Sequence, residues 1–327
     1  MEARATIIIP NWNGMAHLEE CLSTIRSQSM QDFRLLIIDN SSEDGSPEWV
    51  EQHHPWAEVL RLGSNTGFAG AVNAGIKASD TPFVALLNND TALDSHWLEA
   101  LVDALTELSD YDFAASRMVF YSDPDVLNSA GDVYDVAHLV GRNRGFGQVA
   151  ANYATPERVF GACAGAALYR SSFFRDVGLF DERFFLMHED TDINVRALIA
   201  GKRCVYVPDA IVRHKVRATI DTQARPEMDS LEIRNRALVA AKDLPWSAAL
   251  VGLLRSGVLW QPVRSTFPLR PSNWRKIPGL VRSFGARHEP AVTGLKMGLA
   301  IRGDVWSRRV IGRREIARWL REGAGPL

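Results

Sequence analysis

The chain has 327 residues, 46% hydrophobic and 23% charged, which excludes a disordered polypeptide and suits one sizeable α/β core with an appended segment, or two modest domains. Its net charge of −2 conceals an asymmetry: from Lys242 onward there are 16 Lys/Arg against 5 Asp/Glu, leaving residues 1–241 at −13. The cysteines Cys21, Cys163 and Cys204 form no CxxC pair and Met1–Pro10 does not read as a secretory leader, so neither a zinc cage nor a disulfide framework is indicated and a reducing cytoplasm fits.

Ala5–Ile9 is a short apolar, β-branched run, and Leu18, Cys21, Leu22 and Ile25 follow at helical spacing, predicting a βα unit. Phe33–Ile38 is a second buried strand, Glu58–Leu62 a third, Phe68–Ala78 a helix and Phe83–Leu87 a fourth strand. Near-continuous apolar strands separated by helices predict a mostly parallel sheet covered on both faces, with ligands at the carboxyl ends of its strands. The polar clusters Pro10–Gly14, Asp39–Ser42, Ser64–Gly67 and Asn88–Asp90 should therefore share one rim.

Between Tyr121 and Pro156 the chain turns Gly-, Asn- and Asp-rich, which reads as long loops and a β-excursion beside the cleft. A second α/β stretch runs from Phe160 through a helix at about Thr191–Ala200 to a strand at Cys204–Pro208. A soft boundary at Asp243-Leu244-Pro245 divides an α/β unit, residues 1–243 with halves near 1–120 and 121–243, from a basic helical region, 244–327. Leu244–Val263 is interrupted by Arg255 and falls short of the ~20 clean apolar residues that a spanning helix needs.

Asp90 ends Asn88-Asn89-Asp90 directly after an apolar strand, where one carboxylate plus phosphate oxygens suits Mg²⁺ or Mn²⁺; a turn or helix cap is the alternative. Asp39 either accepts from a base N–H or opens a turn with Ser41, Ser42 and Asp44. The Asn65-Thr66-Gly67 loop leads into a helix and suits close approach to phosphate or ribose. Met187–Asp192 places three carboxylates and an imidazole at a helix start, where at least one is structural and another is well placed as a general base. His214 is a lone histidine after a strand and turn, either satisfied locally or a metal ligand.

In order, Ile8–Gly14, Ile38–Gly45, Asn65–Asn73, Leu87–Asp90 and Phe184-Phe185 followed by Glu189-Asp190 resemble family 2 of the glycosyltransferases, with the GT-A fold, and most closely its rhamnosyltransferase-like bacterial members. The resemblance covers about residues 4–240. It implies that Asp39 contacts the nucleobase, that Pro10, Asn11, Asn13 and Asn65 line the nucleoside pocket with Gly67 beside them, and that Asn88-Asn89-Asp90 stands where relatives carry DxD. It implies Asp190 as catalytic base in an inverting transfer and Glu189 as an orienting group. Asp90 is the triplet's only carboxylate; in relatives a histidine after the base completes the metal shell, which implies His214. The QxxRW motif of processive synthases is absent, so transfer of one sugar is expected, with dTDP-rhamnose the first donor and UDP-sugars the next. The rivals are a sugar nucleotidyltransferase, whose Gly-rich basic signature after the first strand is missing, and a non-catalytic nucleotide-sugar-binding protein.

The tail mixes Trp and Leu with Arg, as in Trp274–Arg282 and Trp306–Ile311, and suits an anionic membrane surface, with packing on the catalytic unit or on a second subunit as the alternative. No nucleic-acid module accompanies the charge. The expected partners are a nucleotide-sugar, a glycan or lipid-linked acceptor and the inner face of the plasma membrane, with a homodimer possible.

Overall fold

The computed structural model describes residues 2–215, 225–256, 258, 277–322 and 324–325; Leu259–Val263 and Trp274–Lys276 lie outside the described residues. The expected βα pattern forms: β1 (Ala5–Asn11), α1 (Met15–Arg26), β2 (Phe33–Asp39), α2 (Ser46–His53), β3 (Glu58–Arg61), α3 (Gly67–Ala78) and β4 (Phe83–Leu87). Leu18, Cys21, Leu22 and Ile25 are the buried face of α1, as their spacing requires. Ile7, Ile8 and Ile9 are fully buried because both faces of the sheet are covered.

Then follow β5 (Thr91–Leu93), α4 (Trp97–Glu107), β6 (Phe113–Phe120), β7 (Asp123–Ser129), β8 (Asp132–Asp135), β9 (Val140–Asn143), β10 (Glu157–Val159), β11 (Ala166–Arg170), α5 (Ser171–Val177), α6 (Glu189–Ile199) and β12 (Cys204–His214). With the two-residue β13 (Ala324–Gly325), the main sheet runs β13-β10-β12-β6-β11-β4-β1-β2-β3. β1, β2, β3 and β4 are parallel, β11 runs against both β4 and β6, and β12 is parallel to β6. Six central strands therefore point one way, and their carboxyl ends share an edge.

The strand expected to stop at Pro208 continues to His214. Its register against β6 shifts between Val207 and Ile211, so Pro208 and Asp209 sit in a bulge instead of a turn. Proline cannot donate to a ladder, and a bulge accommodates it without ending the strand. The excursion after Tyr121 is realised as β7 and the separate hairpin β8–β9.

The C-terminal helices are α7 (Arg225–Lys242), α8 (Trp246–Arg255), α9 (Ile277–Ser307) and α10 (Arg313–Glu322). A single apolar cluster joins Val195 and Leu198 of α6 and Leu139 of the hairpin to Leu238, Ala249, Ala291, Ile316 and Leu320 of these helices. Gly294 and Gly298 of α9 lie against the α7 backbone, so closely that a side chain at either would collide with it. A buried ionic knot fastens α7 to α6: Asp192 pairs with Arg196 at 2.7 Å and with Lys242, whose Nζ also lies 2.6 Å from Asp181. No described helix is long and apolar enough to cross a membrane.

Candidate active site

The ends of β1 and β2 are in register at Asn11 and Asp39. Asn11 Nδ2 donates to Ser46 Oγ at 2.9 Å, and its Oδ1 accepts from Asn89 Nδ2 at 2.9 Å, so one buried amide links β1, α2 and the Asn88–Asp90 triplet. Asp39 Oδ1 accepts from the Ser42 N–H at 3.3 Å, which engages this oxygen in a turn. Asn13, in the left-handed region at φ 51°, exchanges hydrogen bonds with the next loop: its N–H donates to Ser42 Oγ and its Oδ1 accepts from the Glu43 N–H. Pro10 precedes Asn11 within β1, half-buried.

Asn40 organises the third cluster. Its Nδ2 donates to Asn65 Oδ1 and the Gly67 carbonyl at 3.0 Å each, while its Oδ1 accepts from the Thr66 N–H at 2.8 Å. Gly67 has φ +72° and sits so near the Phe185 carbonyl that a Cβ would collide with it, while the Phe68 N–H donates to that same carbonyl at 2.7 Å. Two motifs far apart in sequence are thus one surface. Asn40 was not among the expected site residues; its position next to Asp39 gave no sign that its amide holds another loop.

Asp90 is 6% exposed. Because β5 pairs with β12, His214 stands opposite Thr91, and its Nε2 lies 3.3 Å from Asp90 Oδ1. Its Nδ1 lies 3.0 Å from Asn128 Oδ1 on β7, a partner that nothing in the local sequence pattern singles out. Burial pushes the Asp90 carboxyl up, but the His214 hydrogen bond and charge outweigh it and hold the group below the ordinary range. If Nδ1 carries the proton toward Asn128, the lone pair of Nε2 faces a carboxylate, an arrangement relieved by a proton or a cation between them. A carboxylate and an imidazole leave the remaining positions of a divalent ion to phosphate and water, as Mg²⁺ or Mn²⁺ requires. The pair therefore fits such an ion as a partial shell. Among the described residues, no group of three or more His, Cys, Asp or Glu side chains forms a closed cage.

Glu189 and Asp190 open α6 behind His188, whose φ of 69° turns the chain into the helix. Burial pushes the His188 imidazole down to about 4, helped by Arg236, so it is neutral at physiological pH. Asp190 Oδ2 accepts from the Ala164 N–H at 3.2 Å, while Oδ1 is buried without a hydrogen-bond partner, as is Glu189 Oε2. Burial raises both carboxyls above the ordinary range, and the Asp190 charge adds to the shift of Glu189. Asp192, the third carboxylate of the cluster, is the structural one, consumed by Arg196 and Lys242. The Gly165 carbonyl accepts from the Asn88 N–H at 2.9 Å, so the two-residue segment Ala164-Gly165 spans from Asp190 to the triplet.

The family model for glycosyl transferase family 2 matches residues 6–178. The N-acetylglucosaminyl-diphospho-decaprenol L-rhamnosyltransferase of Mycobacterium tuberculosis is 31% identical over 233 residues, spanning 62% of this chain and 73% of that protein. GalNAc-T7 with UDP, GalNAc and Mn²⁺ superposes with a TM-score of 0.61 at 13% identity, over 88% of this chain and 56% of that one. The mannosyltransferase PcManGT from Pyrobaculum calidifontis, in complex with GDP-Man and Mn²⁺, does so at 0.54 and 14% identity, over 92% and 87%. These structural likenesses bear on the fold, which is GT-A. The expected motif order, the GT-A sheet and a family match across more than half of the sequence agree: the chain belongs to glycosyl transferase family 2.

Proposed function

We propose that the chain moves one sugar, with inversion, from a nucleotide-sugar to a glycan or lipid-linked acceptor, with dTDP-rhamnose the first donor to test and UDP-sugars the next. The observation that carries this is the two-residue link Ala164-Gly165 between Asp190 and Asn88, which sets a buried carboxylate with one unpartnered oxygen beside the Asn88–Asp90 triplet. The rhamnosyltransferase name of the mycobacterial relative supports the donor and the lipid-diphosphate type of acceptor.

Asp190, with its raised carboxyl, takes the proton from the acceptor hydroxyl as that oxygen attacks the anomeric carbon from the face opposite the nucleotide. Glu189 orients the site. Asp39, with Pro10, Asn11, Asn13 and Asn65 around it, receives the nucleoside, while Gly67, Asn88 and Asn89 face ribose and phosphate. Asp90 and His214 would hold Mn²⁺ or Mg²⁺, which when bound neutralises charge on the departing diphosphate. Residues 1–243 serve as the catalytic unit, and 244–327 place it at the inner face of the plasma membrane.

The test is nucleotide release from a panel of donors with Mn²⁺ or Mg²⁺, with and without a lipid-linked acceptor. Release that requires both the acceptor and Asp190, with donor binding kept in Asp190→Asn, is the expected result. No release from any donor, where a control transferase works, overturns it.

A further inference from the structure

We infer that the outer face of α8 is a membrane-docking surface that rests on an anionic lipid bilayer. Trp246, Leu250, Val251 and Leu254 are 56%, 60%, 43% and 55% exposed. Residues 246, 250 and 254 recur every four positions and residue 251 lies beside them, so they form one stripe along the helix. The opposite side, Ala249 and Gly252, is buried, and Gly252 presses against Leu139 and the Val136 carbonyl of the β8–β9 connection. This face is therefore turned away from the hairpin, and it is apolar apart from Ser247 in the first turn and Arg255 at the end.

Charge identifies the occupant. The sequence 244–288 contains seven Lys/Arg and no Asp/Glu. Arg255, at the end of α8, is exposed, and the Arg302 guanidinium lies 4.0 Å over the Trp246 ring. An apolar stripe bounded by Arg255 and Arg302, in a stretch of sequence rich in Lys and Arg, matches anionic headgroups above acyl chains. At ten residues, α8 is about 15 Å long, half of what a spanning helix needs, so it lies in the plane of the interface.

The position of the surface gives it a use. The hairpin under α8 reaches the base: Gly141 of β9 packs directly on Thr191, the neighbour of Asp190. Arg236 Nη2 donates to the carbonyls of His138, in the hairpin turn, and of Ser256, the cap of α8, fixing the two together. One hairpin thus lies between the docking face and the helix that carries Asp190. This deepens the lipid-linked acceptor reading and rests on it, whereas vesicle binding itself is measured independently of turnover.

The test is co-sedimentation of the full chain with vesicles of phosphatidylcholine, alone or mixed with phosphatidylglycerol. Wild type should bind the mixed vesicles at least about tenfold better than the neutral ones, with binding weakened by salt. Leu250→Glu/Leu254→Glu should lose that binding by about tenfold or more while keeping its melting temperature and its turnover of donor with a water-soluble acceptor. Brominated lipid should quench tryptophan emission in wild type and less in Trp246→Phe. Three results would overturn the inference: wild type that turns over donor but ignores anionic vesicles, a double variant that binds like wild type, or a double variant that loses only self-association. The last would give the face to a second copy of the chain. Failure of turnover with vesicle binding intact would count against the transferase reading alone.

Discussion

His214 Nε2 and Asp90 Oδ1 face each other at 3.3 Å across the pairing of β12 with β5, although 124 positions separate them in the chain. Asn128 fixes the other side of the imidazole. If the pair is a cation site, His214→Ala should weaken Mn²⁺ binding nearly as much as Asp90→Asn does, and Asn128→Ala by about tenfold through loss of ring orientation. Titration of free Mn²⁺ in the presence of the nucleotide product reads this directly. Unchanged affinity in His214→Ala would return the site to the triplet alone.

The same pair sets a pH dependence of stability. The Asp90 carboxyl is held below its ordinary value, so the stability it contributes is present above the unfolded-state value of ~3.9 and is lost as pH falls through the lower folded value. The stability difference between wild type and Asp90→Asn should shrink as pH falls through that acid window. Denaturant titrations in that window would show it, and a difference that instead grew in acid would contradict the assignment.

Asp190→Asn should lower kcat by about 10²–10⁴-fold with donor binding preserved. In wild type, the acid limb of kcat/KM should lie above the ordinary carboxylate range, because burial favours the protonated form of Asp190 and the base becomes active only as pH rises through its raised value. Glu189→Gln should leave that limb raised, since burial is the leading cause. A limb falling to the range of an exposed aspartate would place the base elsewhere.

Lys242 is 3% exposed and lies between Asp181 and Asp192. Lys242→Met should cost about 3–5 kcal/mol of unfolding free energy, at the lower end because Arg196 and Arg183 still partner the two carboxylates. Equilibrium urea denaturation measures it. A loss below ~1 kcal/mol would mean that the knot is not what holds α7 to α6.

Asn40→Ala removes four hydrogen bonds from the Asn65–Gly67 loop and leaves the half-buried Thr66 N–H without its acceptor. A rise in donor KM and a stability loss of about 1–3 kcal/mol are expected. Gly67→Ala should behave similarly, because its φ and the Phe185 carbonyl both exclude a side chain. Normal donor KM in both variants would detach this loop from the nucleotide pocket.

Local pattern determined much of this protein. Ile7–Ile9, the α1 face from Leu18 to Ile25 and the strand Phe83–Leu87 could be read directly, because period and apolarity report which side of an element is buried. The shared rim followed, since parallel strands carry the polar residues after them to one edge. Distance in the chain hid the rest. Asn40 holding the 65–67 loop, Asn128 behind His214 and Ala164–Gly165 joining Asp190 to Asn88 depend on which strands become neighbours in the sheet. The extension of β12 past Pro208 was equally hidden, because proline signals a turn unless a bulge accommodates it, and only pairing with β6 and β5 supplies that alternative. The sequence determined which carboxylates and imidazoles were available. Strand order and long-range pairing decided which of them meet, and tertiary burial left Asp190 with one unpartnered oxygen while Asp192 was paired with Arg196 and Lys242.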